Sequence, residues 1–289
     1  MAKIDNLINK VTKDIIDLQA RNHINVTMRI DETLKILGDT NILANAIKND
    51  QKFDLVQTVG DHANIVYTVN GEVIQAGANV LSYGDDLTIT VTTDAGYELE
   101  TFKINNVTVT SPYQTLVTDN LNVVVSAVAG TYALTETKGT HTTLTYSVGG
   151  ETITAGSQAL TGGTTLTITA GADTGFDLTT FTVNGVTVTS PYEMTVTGAV
   201  EVVTEATLQT FNLAETVGEN VTVTYTVEQQ EVTAGTGVLS YGDVLTITAT
   251  PADGYAVSTL TVNGETFTSG NTITVTGNIT VVAEATTVI

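Results

Sequence analysis

Apolar and polar residues alternate in short runs along most of the chain. In residues 221–227, valines and Tyr225 alternate strictly with threonines, and Leu245 and Ile247 repeat the pattern around Thr246. A period of two places every second side chain on the same face of a strand. The pattern therefore predicts short strands, with Val, Leu, Ile and Tyr facing a core and Thr facing water.

Hairpins are predicted where turn residues separate two such runs. Asn184-Gly185 and Asn263-Gly264 each lie between two β runs. Asn-Gly is the dipeptide most typical of a two-residue hairpin, because both positions require positive φ. At the equivalent place, residues 105 and 106 are both Asn, which also tolerates positive φ.

The chain repeats itself with a period of 79 residues and without gaps. We define repeat 1 as residues 53–131, repeat 2 as 132–210 and repeat 3 as 211–289, preceded by a segment of residues 1–52. Each repeat contains six or seven predicted short strands and no helical pattern. The sequence thus predicts a mainly β protein: three tandem small β-sandwich (Ig-like) domains behind a short, mostly helical N-terminal anchor.

Within each repeat the order of short sequences is constant. An aromatic first strand is followed by Leu-Thr-Ile-Thr, an Asp shortly before Gly-Tyr or Gly-Phe, the Val-Asn-Gly hairpin and a closing strand. This layout resembles the divergent bacterial repeat called InlB B-like, over residues 53–289. Many members have Trp two residues before Val-Asn-Gly, where this chain has Phe102, Phe181 and Leu260. The chain also resembles phage head fibre and capsid decoration proteins. The resemblance implies spacer or adhesive modules displayed on bacterial surfaces or phage virions, rather than catalysis.

Residues 1–52 follow a different pattern, which predicts first a helix and then a strand. Apolar residues at spacings of 4, 3, 4 and 3 form a two-heptad stripe: Ile4, Ile8, Val11, Ile15 and Leu18. Three hypotheses stay open for this helix: it covers a local core, it self-associates as a coiled coil such as a homotrimer, or it docks on a partner. After it, Ile24, Val26 and Met28 alternate like a strand that can pair with another chain. We predict that these eight residues contact a capsid or another copy of the chain.

Charge is distributed unevenly between the two parts of the chain. Residues 1–52 contain eight basic and seven acidic residues, a net charge of +1, whereas residues 53–289 contain two basic and 24 acidic residues, a net charge of −22. An acidic surface of this kind repels phosphate and argues against a nucleic-acid partner. No apolar stretch approaches the roughly 18 residues that span a bilayer, so no membrane partner is expected. The N-terminus also lacks the basic and apolar blocks of a standard secretory signal.

Residues that could carry catalysis or bind a metal are few. The absence of Cys excludes disulfides and thiolate chemistry. His62 and His141 occupy equivalent loop positions, where repeat 3 has Asn220, so they are expected to be solvated turn residues. Asp85, Asp86 and Asp94 are candidate calcium ligands, because hard cations need several oxygen ligands. The repeats do not keep a fixed ligand set, since Asp85 is matched by Thr164 and Asp243 and Asp86 by Thr165 and Val244. No Asp-x-Asp-x-Asp-Gly loop occurs. We therefore predict no catalytic residue, no metal, no cofactor and no enzymatic activity.

Two tyrosines beside proline have two possible roles, sugar binding or packing within a turn. Tyr113 and Tyr192 each follow Ser-Pro. They can stack on sugar rings or pack within the turn.

These patterns lead to a prediction of function. We predict a phage virion accessory protein, either a capsid decoration protein or a head fibre, on the capsid surface. Residues 1–52 are expected to bind the major capsid protein or another virion protein. The three β-domains are expected to project for weak adhesion to the host surface or its glycans, or to stabilise the particle. The alternatives are a bacterial surface or secreted adhesin with carbohydrate-binding repeats, and a tail or baseplate fibre component.

Overall fold

The computed structural model describes residues 9, 10, 13, 51–156 and 159–288. Asn9, Lys10 and Lys13 have helical backbone conformation and exposed side chains. The rest of the predicted anchor up to residue 50 lies outside the described residues.

The three repeats consist of strands joined by turns. In repeat 1 these are β1 (Lys52–Val59), β2 (Ala63–Val69), β3 (Glu72–Ile74), β4 (Gly77–Ser82), β5 (Asp86–Thr93), β6 (Tyr97–Ile104), β7 (Val107–Thr108), β8 (Tyr113–Leu116) and β9 (Leu121–Ala129). In repeat 2 they are β10 (Thr131–Tyr132), β11 (Leu134–Lys138), β12 (Thr142–Val148), β13 (Glu151–Ile153), β14 (Leu160–Thr161), β15 (Thr165–Ala172), β16 (Phe176–Val183), β17 (Val186–Thr187), β18 (Tyr192–Thr195) and β19 (Val200–Leu208). In repeat 3 they are β20 (Thr210–Val217), β21 (Val221–Val227), β22 (Gln230–Val232), β23 (Gly235–Ser240), β24 (Val244–Pro251), β25 (Tyr255–Val262), β26 (Glu265–Thr266), β27 (Thr272–Thr274) and β28 (Ile279–Thr287).

Each repeat is a sandwich of two sheets, which confirms the predicted Ig-like, mainly β fold. In repeat 1 the sheets have the strand orders β4-β1-β9-β6-β7 and β3-β2-β5-β8, and repeat 3 has the same two orders. Repeat 2 has β11-β19-β16-β17 and β13-β12-β15-β18, with β10 and β14 paired separately. The strands outnumber the predicted six or seven, because β3, β7 and their equivalents are additional strands of only two or three residues. Each follows a turn directly and pairs antiparallel with the strand before that turn.

The predicted alternation determines which side chains form the core. In β21, Val221 and Tyr225 are buried while Thr222 and Thr224 are exposed. The same alternation in every repeat produces three separate hydrophobic clusters, one in each repeat. Since each repeat encloses its own core, each contains the apolar burial that drives the folding of a small domain.

The predicted hairpins are present in all three repeats. Asn184 and Gly185 have φ of 49° and 76°, and Asn263 and Gly264 have 50° and 86°. In repeat 1 the Asn pair at positions 105 and 106 takes φ of 49° and 67°. The first Asn also fastens the turn to the last strand, because the side-chain oxygen of Asn184 accepts a hydrogen bond from the N–H of Glu201 at 2.8 Å.

The first and last strands of each repeat pair in parallel, which the sequence did not predict. Residues 55–59 of β1 lie beside residues 121–125 of β9 in unbroken register. The pairs β11–β19 and β20–β28 have the same parallel register. Alternation predicts strands but not their partners, and these partners lie more than sixty residues apart in the sequence.

The chain divides into two compact units. Unit 1 comprises Met1–Gly130 with Thr161–Gly163, and unit 2 comprises Thr131–Leu160 with Thr164–Ile289. Within unit 2, Gln209 joins repeats 2 and 3: its N–H donates to the carbonyl of Gly175 at 2.9 Å, and its carbonyl accepts from the N–H of Tyr241 at 3.0 Å. The ring of Tyr241 lies where a Cβ on Gly175 would be, so only glycine fits at this junction.

Candidate functional site

The residues predicted to contact a capsid or a second copy lie outside the described residues. They are Ile4, Ile8, Val11, Ile15, Leu18, Ile24, Val26 and Met28. Their role stays a prediction, and the features below belong to the three repeats.

The described residues lack two features that would indicate a membrane or metal partner. They contain no helix with the length and hydrophobicity needed to span a bilayer. They also contain no group of three or more His, Asp or Glu side chains placed to hold a metal ion.

The histidine turns of repeats 1 and 2 share one arrangement. His62 adopts a left-handed φ of 61°, its Nδ1 lies 3.1 Å from Oδ2 of Asp94, and its ring stacks 3.7 Å from that of Tyr97. His141 is placed in the same way against Asp173 and Phe176. Both histidine side chains are about half exposed. The arrangement therefore stabilises a turn.

The aspartates considered for calcium serve their own turns. The Asp85 carboxylate accepts the N–H of Ser82 at 2.7 Å, and Asp243 does the same for Ser240 in repeat 3. Asp94 accepts hydrogen bonds from Asn64 and His62, which lower its pKa below the usual value. The Asp86 side chain is exposed.

The tyrosines beside proline pack against the cores. Tyr113 and Tyr192 are half-buried and contact the hydrophobic clusters of repeats 1 and 2. Of the two alternatives left open by the sequence, turn packing describes both residues.

A buried tyrosine distinguishes repeat 1 from the other two. In repeats 2 and 3 the hydroxyls of Tyr146 and Tyr225 donate to Glu136 at 2.7 Å and to Glu215 at 2.8 Å. The equivalent Tyr67 is only 3% exposed, and its hydroxyl has no hydrogen-bond partner. Repeat 1 has Gln57 where the other repeats have the glutamate.

The environment of these tyrosines raises their pKa values. Burial raises the pKa of Tyr67 to about 12. Burial raises the pKa of Tyr146 and Tyr225 further above the ordinary value of 10, with a second contribution from the neighbouring glutamates.

The first strand of repeat 1 has an open outer edge. Its pairing with β4 ends at Leu55, which lies opposite Gly77. The N–H groups of Asp54 and Gly60 point toward the β9 side, bonding to Asn120 and Val125. By alternation, the N–H and C=O groups of Gln57 and Val59 point away from β9. Among residues 51–156 and 159–288, no strand pairs with them. We call residues 56–59 the repeat 1 edge.

A shallow groove begins at this edge. It has a volume of about 300 Å³ and is lined by Asp54, Leu55, Val56, Gln57, Ala76, Gly77 and Ala78. Val56, in its wall, is 54% exposed.

Comparison with known proteins identifies the family. The model of the divergent InlB B-repeat domain matches residues 63–129, 140–210 and 216–287. These stretches make up well over half of the chain, so the chain belongs to this family. The resemblance inferred from the short motifs is thereby confirmed.

Solved structures overlap only loosely with the chain. The pilus adhesin SpaC from Lactobacillus rhamnosus GG is 12% identical, with 82% of this chain and 44% of SpaC covered and a TM-score of 0.26. Two B repeat units of the collagen binding protein of Staphylococcus aureus are 10% identical, with 81% and 75% covered and a TM-score of 0.16. This chain spans less than half of SpaC. No curated protein matches the chain.

Sequence reasoning missed the open edge and the unpaired Tyr67 hydroxyl. The edge is open because the pairing of β1 with β4 ends at Leu55. The alternation of apolar and polar residues predicts strands but not where their pairing ends. The hydroxyl could have been suspected from the repeat register, because position 57 is Gln where positions 136 and 215 are Glu.

Proposed function

We propose that this chain is a structural and adhesive arm displayed on a larger particle. Residues 1–52 bind the carrier, and the three repeats face outward and make weak contacts with a host surface or its glycans. The carrier that we propose is a phage virion, with the chain serving as a capsid decoration protein or head fibre bound to the major capsid protein. We assign no catalytic activity to it.

One observation carries the proposal: the same small sandwich occurs three times, each with its own complete core. Polar groups that distinguish the repeats, such as the Tyr–Glu pairs and the His–Asp turns, stabilise turns and strand edges. Repetition of a self-contained domain provides reach and several equal contact surfaces. The net charge of −22 on residues 53–289 keeps such surfaces soluble and apart.

The second candidate is a bacterial surface or secreted adhesin, with an extracellular or cell-surface location. Membership of the InlB B-repeat family favours this candidate as much as the first. A tail or baseplate fibre component is a variant of the first candidate that differs in the attachment point.

The test compares fluorescent fusions of the full chain and of a variant lacking residues 1–51. Both are mixed with virions that lack the protein and with host cells. We expect the full chain to decorate particle heads and the shortened variant to lose this binding while keeping any weak binding to cells. Binding to cell envelopes but not to particles would overturn the virion assignment in favour of the adhesin. Labelling of tails in place of heads would identify the fibre variant.

A further inference from the structure

We propose that the repeat 1 edge binds an extended polypeptide strand whose small and apolar centre is flanked by basic residues. The bound strand would continue the sheet beyond β1. This names a partner class for the proposed adhesive function, and its biological use rests on that function. Three properties of the edge support it.

The first property is the set of unpaired backbone groups. Gln57 and Val59 each point an N–H and a C=O away from β9, and no described residue accepts or donates there. A row of such groups is a template for an added strand, because every new bond forms between backbone atoms. The adjoining groove of about 300 Å³ leaves space beside the strand.

The second property is the lack of charge on this edge. Between Asp54 and Asp61 the sequence of repeat 1 is entirely uncharged, and Val56 is 54% exposed. The equivalent edges carry Glu136 and Lys138 in repeat 2 and Glu215 in repeat 3. Charged side chains on an edge strand oppose pairing with other chains. Repeats 2 and 3 therefore have a protection that repeat 1 lacks.

The third property is the Tyr67 hydroxyl, buried and without a partner. In the other repeats a glutamate from this same strand position accepts the bond. A buried donor without an acceptor costs about 1–3 kcal/mol. Repeat 1 thus lacks, at position 57, both the charge and the acceptor that the glutamates supply in repeats 2 and 3.

The acidic residues at the two ends of the repeat 1 edge indicate which residues flank the bound strand. Asp54 and Asp61 stand at the two ends of the uncharged stretch, and the repeats as a whole are strongly acidic. Basic residues at both ends of the bound strand would face these carboxylates and speed its encounter with the protein.

The experiment measures amide hydrogen exchange by NMR on the full-length protein. The probe is the peptide acetyl-Lys-Val-Thr-Val-Thr-Lys-amide. At a free peptide concentration about nine times Kd, exchange at the Gln57 and Val59 amides is expected to slow about tenfold. The amides of Val56 and Thr58 point toward β9 and serve as controls within the same strand, with no change expected. The amides of Glu215 and Val217, at the equivalent edge of repeat 3, should also stay unchanged.

Two peptides and one variant test the cause. A peptide with proline for the second valine cannot form the ladder, and one with glutamate for both lysines is repelled; neither should slow exchange. The double variant Gln57→Glu, Val59→Lys places the repeat 2 residues on the repeat 1 edge and gives Tyr67 an acceptor. It is expected to abolish the slowing while leaving the rest of the amide spectrum unchanged.

Several results would overturn the proposal: no slowing at Gln57 and Val59, equal slowing by the proline peptide, or equal slowing in the double variant. Slowing of the same size at Glu215 and Val217 would also overturn it, because repeat 1 would then have no special edge. The measurement uses no particles or cells. Its failure is therefore separate from a failure of the proposed display function.

Discussion

Repeats 2 and 3 share one sandwich fold, apart from the first strand, which is continuous as β20 in repeat 3 and divided into β10 and β11 in repeat 2. They also differ in the core and at one turn. In the core of repeat 2, the buried hydroxyls of Thr142 and Thr204 lie 2.9 Å apart, where repeat 3 has Val221 and Ala283. At the turn before β16, Gly175 lies under Tyr241, whereas the equivalent Gly254 has no atom within 4 Å of its missing Cβ. The core thus accepts either a hydrogen-bonded pair of threonines or a pair of apolar side chains at the same positions, and in neither case is a side-chain hydroxyl left without a partner.

The largest expected effect separates the two glycines. Gly175 and Gly254 have nearly the same φ, 85° and 82°. Gly254→Ala should lower the free energy of unfolding by about 1–2 kcal/mol, the cost of a left-handed Cβ. Gly175→Ala adds overlap with the Tyr241 ring and should lower it by about 2–5 kcal/mol. Urea unfolding followed by circular dichroism measures both.

A second substitution identifies the cause of that difference. Relative to Tyr241→Gly alone, which has no ring at this site, adding Gly175→Ala should lower the free energy of unfolding about as much as Gly254→Ala does in the wild type. If Gly175→Ala and Gly254→Ala lower the free energy of unfolding equally in the wild-type background, the contact between Gly175 and Tyr241 contributes nothing to stability.

The next effect concerns the buried threonine pair. Thr142→Val leaves the Thr204 hydroxyl buried without a partner and should cost about 1–3 kcal/mol. The double variant Thr142→Val, Thr204→Ala reproduces the residues of repeat 3 and should recover much of that loss, because the buried Thr204 hydroxyl is removed as well. Only the carbonyl of Gly139, which accepts from Thr142 at 2.8 Å, still loses a bond. Thermal unfolding of the two variants is the measurement. A double variant that is less stable than the single one would contradict the explanation.

A smaller effect compares the buried tyrosines of repeats 1 and 3. Tyr67→Phe removes a hydroxyl that has no partner, so stability should stay constant or rise by up to about 1 kcal/mol. Tyr225→Phe breaks the bond to Glu215 and should cost about 1 kcal/mol. Equal losses in the two variants would show that Tyr67 has an acceptor after all.

The same tyrosines predict a dependence on pH. Burial raises the pKa of folded Tyr67 to about 12, above the ordinary value of 10. Below pH 10 Tyr67 is neutral in both the folded and the unfolded state, and its contribution to the free energy of unfolding is complete. This contribution is lost as the pH rises from 10 toward 12. Tyr67→Phe should flatten this loss in repeat 1. Urea midpoints at pH 9, 10, 11 and 12 measure this difference in slope. If the wild type and the variant lose stability with the same slope, Tyr67 is excluded as the source of the loss.

The smallest effect lies in the turn between β21 and β22. Glu228 and Gln229 take φ of 48° and 68°, where repeat 1 has Asn70-Gly71 and repeat 2 has Gly149-Gly150. Left-handed conformations are unfavourable for Glu and Gln and suit Asn and Gly. Replacing the pair by Asn-Gly should stabilise repeat 3 by about 1 kcal/mol. An unchanged melting temperature would mean that the turn relaxes at no cost.

Much of the fold was predictable, because it depends on local rules. The alternation in β21 gave the buried and exposed faces, and Asn263-Gly264 gave a hairpin at the right place. The short strand β22 escaped prediction, since Glu228-Gln229 does not look like a hairpin turn, whereas β3 was missed although Asn70-Gly71 carries the hairpin signal. The stacking of His62 on Tyr97 joins residues 35 positions apart, and their separate patterns do not indicate it.

The candidate edge was less predictable than the fold. Its openness results from β4 leaving β1 after Leu55, at a bulge around Asp54 whose carboxylate accepts the N–H of Asn79. Repeat 2 has Ala133 at that position, and its first strand is divided into β10 and β11. The cover nevertheless ends at the same place in all three repeats, since Gly156 donates to the carbonyl of Leu134 in repeat 2 and Leu213 lies opposite Gly235 in repeat 3. No periodicity in the sequence reveals where this pairing stops.

The parallel pairing of the first and last strands has a mechanical consequence. Because both strands run in the same direction, the chain enters each repeat at one end of the pair and leaves at the other. A pull on the two termini of a repeat therefore slides β1 along β9 and loads the hydrogen bonds of residues 55–59 together, in shear. An antiparallel pair pulled from one end would open bond by bond like a zipper. Each repeat therefore resists tension with its whole β1–β9 type interface at once.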